Sequence, residues 1–234
     1  MGRSHLQRLS AQPKLPEKMC GRYTMTMDPD LMGRYYEARF LETPRPVFNA
    51  SPGQHLPVIL DADPGTIQSA YWGFFMEIPG RSRRMLINAR AETAHRHPAF
   101  RDSFRRRRCL VVADGFYEWK AAAKGKQPYR IVPEREGPCT FAGLWKDTKD
   151  GPAYVILTTA ASPGLRTIHD RMPIMLARVD LAQWLDPGSR TDALRRLARP
   201  STGGTIRSYP VSKRVNNSKN QGPELIVPVS LGPE

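Results

Sequence analysis

The stretch CLVVADGFYEW, residues 109–119, decides the fold class of this chain. It begins as a continuous apolar run, which is typical of a strand that is buried on both faces. Further strand-like runs follow at PYRIV (128–132), CTFAGLW (139–145) and AYVILTTA (153–160). Because these runs succeed one another without helical crossovers, the sequence favours antiparallel pairing over parallel βαβ winding.

The flanking segments complete the predicted architecture. Asp28-Pro29-Asp30 supplies an N-cap, a first-turn proline and a first-turn acid, which predicts a helix from Asp28 to about Phe40. Residues 44–57 hold four prolines and a glycine, which predicts an ordered surface loop or an irregular connection. LPVIL and TIQSAYW flank DADPG (61–65) as a predicted hairpin, and DLAQWL and TDALRRLA (180–185 and 191–198) are predicted short helices. We predict an α+β fold: a single domain with a curved, mostly antiparallel, barrel-like β-sheet core flanked by helices.

The composition favours a protein that binds a polyanion. The chain has 234 residues, with 36 lysines and arginines against 22 acidic residues, for a formal net charge of +14. So large a basic excess is typical of nucleic-acid binding. No run approaches the roughly 18 apolar residues of a membrane-spanning helix, and the N-terminus lacks the apolar core of a signal peptide. We therefore expect no membrane association.

The cysteine content indicates a reduced compartment. Cys20, Cys109 and Cys139 are an odd number without metal-ligand spacing. This pattern is typical of a cytoplasmic protein with neither a disulfide framework nor a cysteine-based zinc site. We predict no metal and no cofactor, and we expect the protein to act as a monomer.

The N-terminal region raises the question of where the functional chain starts. Residues 1–18 are polar, basic and interrupted by proline, so we interpret them as a disordered leader or as codons upstream of the true start. Residues 19–230 then form one domain. In KMCGRYTM (18–25), Met19 would be the initiator whose removal exposes Cys20 as the N-terminus. The alternative is that both are ordinary apolar residues.

Polar residues within apolar runs are the first candidates for chemistry. Glu118 lies between Tyr117 and Trp119, where desolvation would raise a carboxyl pKa and suit it to proton transfer. A structural ion pair with an arginine is an equally good interpretation. His169 lies in the run HDRMPIML, and a lone histidine is more often structural than catalytic.

The stretch INARAET, residues 87–93, places an amide and a guanidinium two residues apart. If the stretch is extended, Asn88 and Arg90 face the same side and can act on one site. The alternative is a turn with a solvated arginine.

Arginines are grouped beside aromatic residues in the middle of the chain. The run YWGFF (71–75) precedes the group, which consists of Arg81, Arg83, Arg84, Arg90, Arg96, Arg101 and Arg105 to Arg108. Such a combination fits single-stranded nucleic acid, since phosphates bind guanidinium groups and unstacked bases stack on aromatic faces. The alternatives are that the arginines form a solvated face and that YWGFF is core.

Six motifs in the same order resemble one family. They are MCGRY (19–23), NARAET (88–93), GFYEW (115–119), TTA (158–160), HDRMP (169–173) and the closing VNN…PELIVPV (215–229). From Met19 to about Val229 the chain resembles the SRAP family, the SOS-response-associated peptidases or abasic-site processing proteins.

The resemblance implies a covalent activity on damaged DNA. Removal of the initiator methionine would expose Cys20, which would crosslink as a thiazolidine to the ring-opened sugar of an abasic site in single-stranded DNA. The crosslink would shield the lesion from strand cleavage during DNA repair and the SOS response, in the cytoplasm at the nucleoid. The resemblance also leaves room for abasic-site lyase activity and for peptidase activity, including self-processing.

The resemblance implies roles at individual positions. The catalytic residues would be Cys20, Asn88, Glu118 and His169, with Glu118 as the acid/base, His169 near the sugar hydroxyl and phosphate of the lesion, and Asn88 orienting Cys20. The DNA contacts would be Arg22, Asn49, Pro52, Trp72, Arg90, Thr158 and Arg171. Among these, Asn49, Pro52 and Trp72 match DNA-contacting and duplex-blocking positions.

Two other functions remain open on the sequence. Cys20, His169 and Glu118 could form a cysteine peptidase or an N-terminal-nucleophile amidase, although neither needs clustered arginines. The second is a non-covalent single-stranded DNA-binding module in which Cys20 is a packed thiol.

Overall fold

The computed structural model describes residues 20–76, 83–123, 125–135, 137–199 and 206–231. The predicted leader (1–18), Met19 and Arg81 lie outside these residues. The strands are β1 Tyr23–Met25, β2 Arg39–Phe40, β3 Val47–Ala50, β4 His55–Leu60, β5 Asp63–Trp72, β6 Phe74–Met76, β7 Arg84–Leu86, β8 Asn88–Arg90, β9 Arg108–Val111, β10 Gly115–Ala122, β11 Gly125–Pro133, β12 Phe141–Thr148, β13 Gly151–Ala160, β14 Arg171–Pro173 and β15 Ile206–Pro210. The α-helices are α1 Pro29–Tyr36, α2 Ala91–Ala94, α3 Arg101–Arg106, α4 Leu181–Leu185 and α5 Thr191–Leu197.

Two sheets form the core of the domain. One has 5 strands in the order β15-β11-β10-β1-β3, and the other has 8 and includes the order β14-β13-β12-β9-β4-β5-β2. A pairing between β13 and β5 closes β5, β4, β9, β12 and β13 into a ring. Parallel pairing among the described strands is confined to β13 with β5, β13 with β8 and β2 with β5. The predicted α+β fold with a mostly antiparallel, barrel-like core is confirmed.

The stretch 109–119 divides between the two sheets instead of forming one strand. β9 belongs to the ring and β10 to the other sheet, and residues 112–114 connect them. The Asp114 carboxylate accepts hydrogen bonds from the backbone N–H groups of Thr26 and Met27. At Gly115 a Cβ atom would lie 2.8 Å from Val132 Cγ1, so a side chain does not fit. Contacts distant in sequence therefore cause the break.

Helix α1 begins as predicted and ends early. The Asp28 carboxylate caps it by accepting hydrogen bonds from N–H groups of the first turn. The helix ends at Tyr36, and not near Phe40, because Glu37 adopts a left-handed conformation (φ 53°) and its N–H bonds back to the Gly33 carbonyl.

The proline-rich segment 44–57 is also more regular than predicted. It contains β3 and the start of β4, and β3 pairs with β1 so that Ala50 lies opposite Tyr23. Its prolines lie outside β3, which leaves the β3 N–H groups free to pair. The predicted hairpin of β4 and β5, the strands β11 to β13 and the helices α4 and α5 are confirmed.

Candidate functional site

Four predicted catalytic residues converge on one buried site. Cys20 lies just before β1, Asn88 begins β8, Glu118 lies within β10, and His169 precedes β14. The Asn88 Nδ2 atom donates a hydrogen bond to the Cys20 carbonyl at 2.8 Å. The pairing of β1 with β10 places Cys20 beside the Glu118 carboxyl, which in turn faces His169.

The Cys20 side chain is a buried neutral thiol. It is 3% exposed, and its Sγ donates a hydrogen bond to the Arg171 carbonyl at 3.6 Å. Burial raises the pKa of the thiol well above its ordinary value, and the neighbouring Glu118 carboxyl raises it further. The thiol is therefore not stored as a reactive thiolate.

Glu118 is a buried carboxyl that can exist in both protonation states near neutral pH. It is 4% exposed, and burial raises its pKa to about 7 although His169 opposes the shift. Its Oε2 lies 3.9 Å from His169 Nε2, so its titratable partner is a histidine and not an arginine. A carboxyl with this pKa can both donate and accept a proton at neutral pH.

The His169 ring is oriented by the chain that follows it. Its Nδ1 accepts a hydrogen bond from the Arg171 backbone N–H at 3.0 Å and lies 3.3 Å from Asp170 Oδ1. Nδ1 also lies 3.2 Å from the Arg171 carbonyl oxygen, so three contacts hold this side of the ring. The other ring nitrogen, Nε2, faces Glu118.

Arg171 is held by a carboxylate that the sequence interpretation missed. Its Nη1 and Nη2 donate to Glu92 Oε1 at 2.7 Å and Oε2 at 3.0 Å, and its Nη2 also donates to the Thr158 carbonyl at 2.6 Å. Partial burial alone would raise the pKa of Glu92, but the hydrogen bonds from Arg171 and the nearby Arg90 charge hold it below its ordinary value. The sequence signal for this contact was Glu92 itself, an acid two residues after Arg90 in the motif NARAET.

Thr158 itself is fully buried, which corrects its predicted contact with DNA. Its Oγ1 accepts a hydrogen bond from Arg171 Nη2 at 3.2 Å, so it positions Arg171 instead. Arg90 is exposed at the end of β8 and is free to reach a ligand in the way predicted.

Arg22 and Asn49 fasten the segment 215–220 beside the site. Arg22 Nη1 donates to Asn49 Oδ1 at 2.7 Å and to the Val215 carbonyl at 2.8 Å, and Arg22 remains partly exposed. The Asn49 Nδ2 donates to the carbonyls of Val215, Asn217 and Asn220. Asn49 is 0% exposed, so the predicted contact of its side chain with DNA is corrected to a positioning role.

Trp72 is core, which corrects its predicted role as a DNA contact. It is 0% exposed, its Nε1 donates to the Ile87 carbonyl at 3.0 Å, and its ring stacks on that of Tyr154. The preceding residue, Tyr71, is partly exposed and lies beside the loop that carries Pro52, which is also partly exposed. Alternation along β5 distinguishes the two rings, since neighbouring strand residues face opposite sides.

The arginine group is not one continuous surface. Arg108 is 0% exposed, and its guanidinium donates to backbone carbonyls that include those of Trp184 and Asp186. It is therefore a structural residue that ties β9 to α4, which corrects its predicted place in a basic groove.

Within the described ranges no group of three or more metal-ligating side chains is placed to hold a metal ion. No described helix is long and apolar enough to cross a membrane.

Comparisons of sequence identify related proteins. A profile of the family described as SOS response associated peptidase (SRAP) matches residues 19–218. The chain is 35% identical over 224 residues to the abasic site processing protein YoqW of Bacillus subtilis, covering 89% of this chain and 99% of that protein. It is 29% identical to the abasic site processing protein YedK of Escherichia coli, covering 90% and 100%. It is 30% identical to the abasic site processing protein HMCES of Xenopus tropicalis, covering 91% and 79%.

Comparisons of structure agree on the fold. A Bacteroides thetaiotaomicron protein matches with a TM-score of 0.75 at 21% identity, covering 90% of this chain and 100% of that one. A phage-related protein of Bordetella bronchiseptica matches with a TM-score of 0.67 at 29% identity, covering 83% and 95%.

Proposed function

The chain belongs to the SOS response associated peptidase (SRAP) family, and on that premise we propose that it processes abasic sites in DNA. Relatives from Bacillus, Escherichia and Xenopus all carry the name abasic site processing protein. The finer proposal is that Cys20, as an N-terminal residue, forms a thiazolidine with the aldehyde of an abasic site in single-stranded DNA. The adduct keeps the lesion from strand cleavage until repair.

The amine of an N-terminal Cys20 is the group best suited to start this reaction. An aldehyde is attacked by a neutral amine. At pH 7 an α-amine is roughly 14% neutral, whereas an ordinary lysine is roughly 0.04% neutral. An N-terminal amine therefore has an advantage of a few hundredfold in available base before its position is counted.

The thiol of the same residue completes the ring. The amine and the aldehyde first form an imine and release one water. The sulfur then bonds to the imine carbon, and the thiol proton passes to the imine nitrogen, which closes a five-membered ring. Because both nucleophiles belong to one residue, ring closure has the large entropic advantage of an intramolecular step.

One observation carries the proposal: the Cys20 thiol and a carboxyl with a pKa of about 7 share one buried site. Opening the sugar and forming the imine both require protons to be moved, and Glu118 is able to move them in either direction. Among the described residues, two buried acceptors there have no hydrogen-bond partner, Glu118 Oε1 and Asn88 Oδ1. An unpaired buried acceptor costs roughly 1–3 kcal/mol, which a sugar hydroxyl or an amine could offset by donating to it.

The charges around the site support single-stranded DNA as the ligand. Arg90 is exposed and Arg22 is partly exposed beside the site. Arg171 is bound in two places by Glu92, and this carboxylate occupies the position in which a phosphate would receive the same pair of N–H bonds. The proposal is that DNA phosphates bind these arginines. His169 would donate a proton or a hydrogen bond to the sugar hydroxyl or the phosphate of the lesion.

The state of the thiol favours this function over a cysteine peptidase. A peptidase thiol is activated by a lowered pKa, which keeps it as a thiolate. The Cys20 pKa is raised, and its thiol donates to the Arg171 carbonyl. The proposal also includes abasic-site lyase activity, self-processing and a role in the SOS response. These parts rest on membership of the family and not on the geometry of the site.

The direct test uses two single-stranded oligonucleotides that differ by one abasic site. We expect a chain that starts at Cys20 to give a denaturant-resistant adduct with the abasic strand and none with the undamaged strand. A blunt duplex with the same lesion should react less. Reversible binding alone would favour the non-covalent module, and peptide cleavage without an adduct would favour the peptidase.

A second prediction concerns Glu118. We expect Glu118→Gln to slow adduct formation by about 100-fold to 10,000-fold, because the proton-transfer group is lost.

The raised pKa of Glu118 also has a consequence for stability. Between pH 4.5 and about 7 the native state keeps a proton that the unfolded state has lost, so wild-type stability falls as the pH rises through this window. The fall, relative to the glutamine variant, should be on the order of 3 kcal/mol.

Urea unfolding of both proteins at pH 5 and pH 8 measures the difference. Glu134→Gln is the matched control, because Glu134 is exposed and outside the site. If Glu118→Gln and the control show the same pH dependence of stability, the buried protonated carboxyl is contradicted.

A further inference from the structure

A second concentration of positive charge lies outside the reaction site. Arg96, Arg105 and Arg195 are exposed and surround His95, which is half-buried. They come from three separate elements: the turn after α2, helix α3 and helix α5. We call these four residues the His95 cluster.

The core fixes this cluster in place. Its members His95, Arg105 and Arg195 each directly follow a fully buried residue, and those three residues are Ala94, Phe104 and Leu194. The His95 ring also packs against the Phe104 ring at a centroid distance of 6.2 Å. The guanidinium groups of Arg105 and Arg195 are therefore attached to packed helices, and Arg96 lies in a turn in which its N–H donates to the Thr93 carbonyl.

The charges of the cluster are largely uncompensated. In the part of the chain that the structure describes, the carboxylate within salt-bridge distance of these arginines is Asp192, 3.9 Å from Arg195. After burial, the three arginine charges hold the pKa of His95 below its ordinary value. Its Nδ1 is buried without a hydrogen-bond partner among the described residues. A bound anion would relieve the repulsion between the arginines and would favour a protonated His95.

We propose that the His95 cluster is a second phosphate-binding site, which holds the DNA backbone at a distance from Cys20. The proposal rests on the proposed function, because it takes single-stranded DNA as the ligand. Guanidinium groups suit phosphate oxygens because they donate paired N–H bonds. The cluster is also continuous with the reaction site: α2 starts directly after Arg90, carries Glu92 and ends before His95. At about 1.5 Å per residue this helix is only about 6 Å long, so one strand can contact both sites.

The test compares two triple variants of equal charge. Arg96→Ala/Arg105→Ala/Arg195→Ala removes the cluster, and Arg34→Ala/Arg39→Ala/Lys149→Ala removes three exposed cations elsewhere. The probes are undamaged single strands of about 6 and about 25 nucleotides, one within and one beyond the range of about 4–16 nucleotides that single-strand sites commonly span. Binding is measured over a series of salt concentrations.

We expect the cluster variant to bind the long strand about 10-fold to 100-fold more weakly and to lower the slope of log affinity against log salt by about 2, since three phosphate contacts are lost. The short strand should also bind more weakly to the cluster variant, because the cluster lies only about 6 Å beyond Arg90 along α2. The control variant should bind both strands nearly as wild type does. Equal losses in both variants, or an unchanged slope in the cluster variant, would overturn the proposal. Adduct formation by wild-type protein on an abasic strand is measured separately, so a missing adduct would contradict the proposed function and not the second phosphate site.

A second readout does not depend on the variants. In wild-type protein, the pKa of His95 followed by NMR should rise when the long undamaged strand binds, because phosphates offset the Arg96, Arg105 and Arg195 charges that face the ring. An unchanged His95 pKa at saturation would also overturn the proposal.

Discussion

Cys20→Ala abolishes the denaturant-resistant adduct with abasic DNA and leaves reversible binding of single strands nearly unchanged. The variant loses the sulfur that closes the ring, so any imine that forms can hydrolyse. Binding persists because the affinity comes from arginine–phosphate contacts, whereas the thiol is buried and neutral. Denaturing gels of the reaction mixture measure the adduct, and a filter or fluorescence assay measures binding.

Two further variants sharpen this prediction. Cys20→Ser should give an intermediate result, because its amine still forms an imine while closure through oxygen is less favourable. Cys139→Ala is the matched control, since Cys139 is another free cysteine that is 3% exposed. It should form the adduct as wild type does. An undiminished adduct from Cys20→Ala would refute the mechanism.

A chain that retains residues 1–19 forms no adduct until it is cut after Met19. With those residues attached, the Cys20 nitrogen is an amide and cannot form an imine. The α-amine at the start of the leader and the lysine amines remain, but none of them shares a residue with a thiol. An imine that they form cannot close to a thiazolidine and can hydrolyse, so we expect no denaturant-resistant adduct. Methionine aminopeptidase should restore activity to a chain that starts at Met19, because cysteine is a small second residue.

The control for this prediction separates the amine from the bulk of the leader. A chain that starts at Cys20 but carries an acetylated α-amine should be as inactive as the chain that starts at Met1. Intact mass establishes the N-terminus of each sample. If the untrimmed chain forms the same adduct at the same rate, the amine is dispensable and the account of KMCGRYTM is incorrect.

Local signals in the sequence predicted local structure well. The Asp28 cap, the DADPG hairpin and the strands at 128–132 and 153–160 depend on residues close in sequence, and all are observed. The break at 112–114 was not predictable in this way. It depends on Asp114 binding residues about 90 positions away, such as Thr26.

The same distinction explains the site. Cys20, Asn88, Glu118 and His169 were identified through motifs, and the structure brings them together. Burial is a tertiary property, so the sequence did not show that Trp72 faces the core. Contacts between residues distant in sequence were equally unpredictable. The hydrogen bonds from Arg171 to Glu92, for example, depend on the placement of α2 beside β14.

The central claim is that the covalent bond to DNA joins both nucleophiles of an N-terminal Cys20, and peptide mapping of the adduct tests it most directly. The adduct is digested with protease and nuclease and analysed by tandem mass spectrometry after treatment with a thiol-alkylating reagent. We predict that the sugar remnant lies on the peptide beginning with Cys20, that the mass is the sum of the partners less one water, and that the Cys20 thiol resists alkylation. A remnant on a lysine, or a Cys20 that is alkylated or still joined to Met19 within the adduct, would contradict the account.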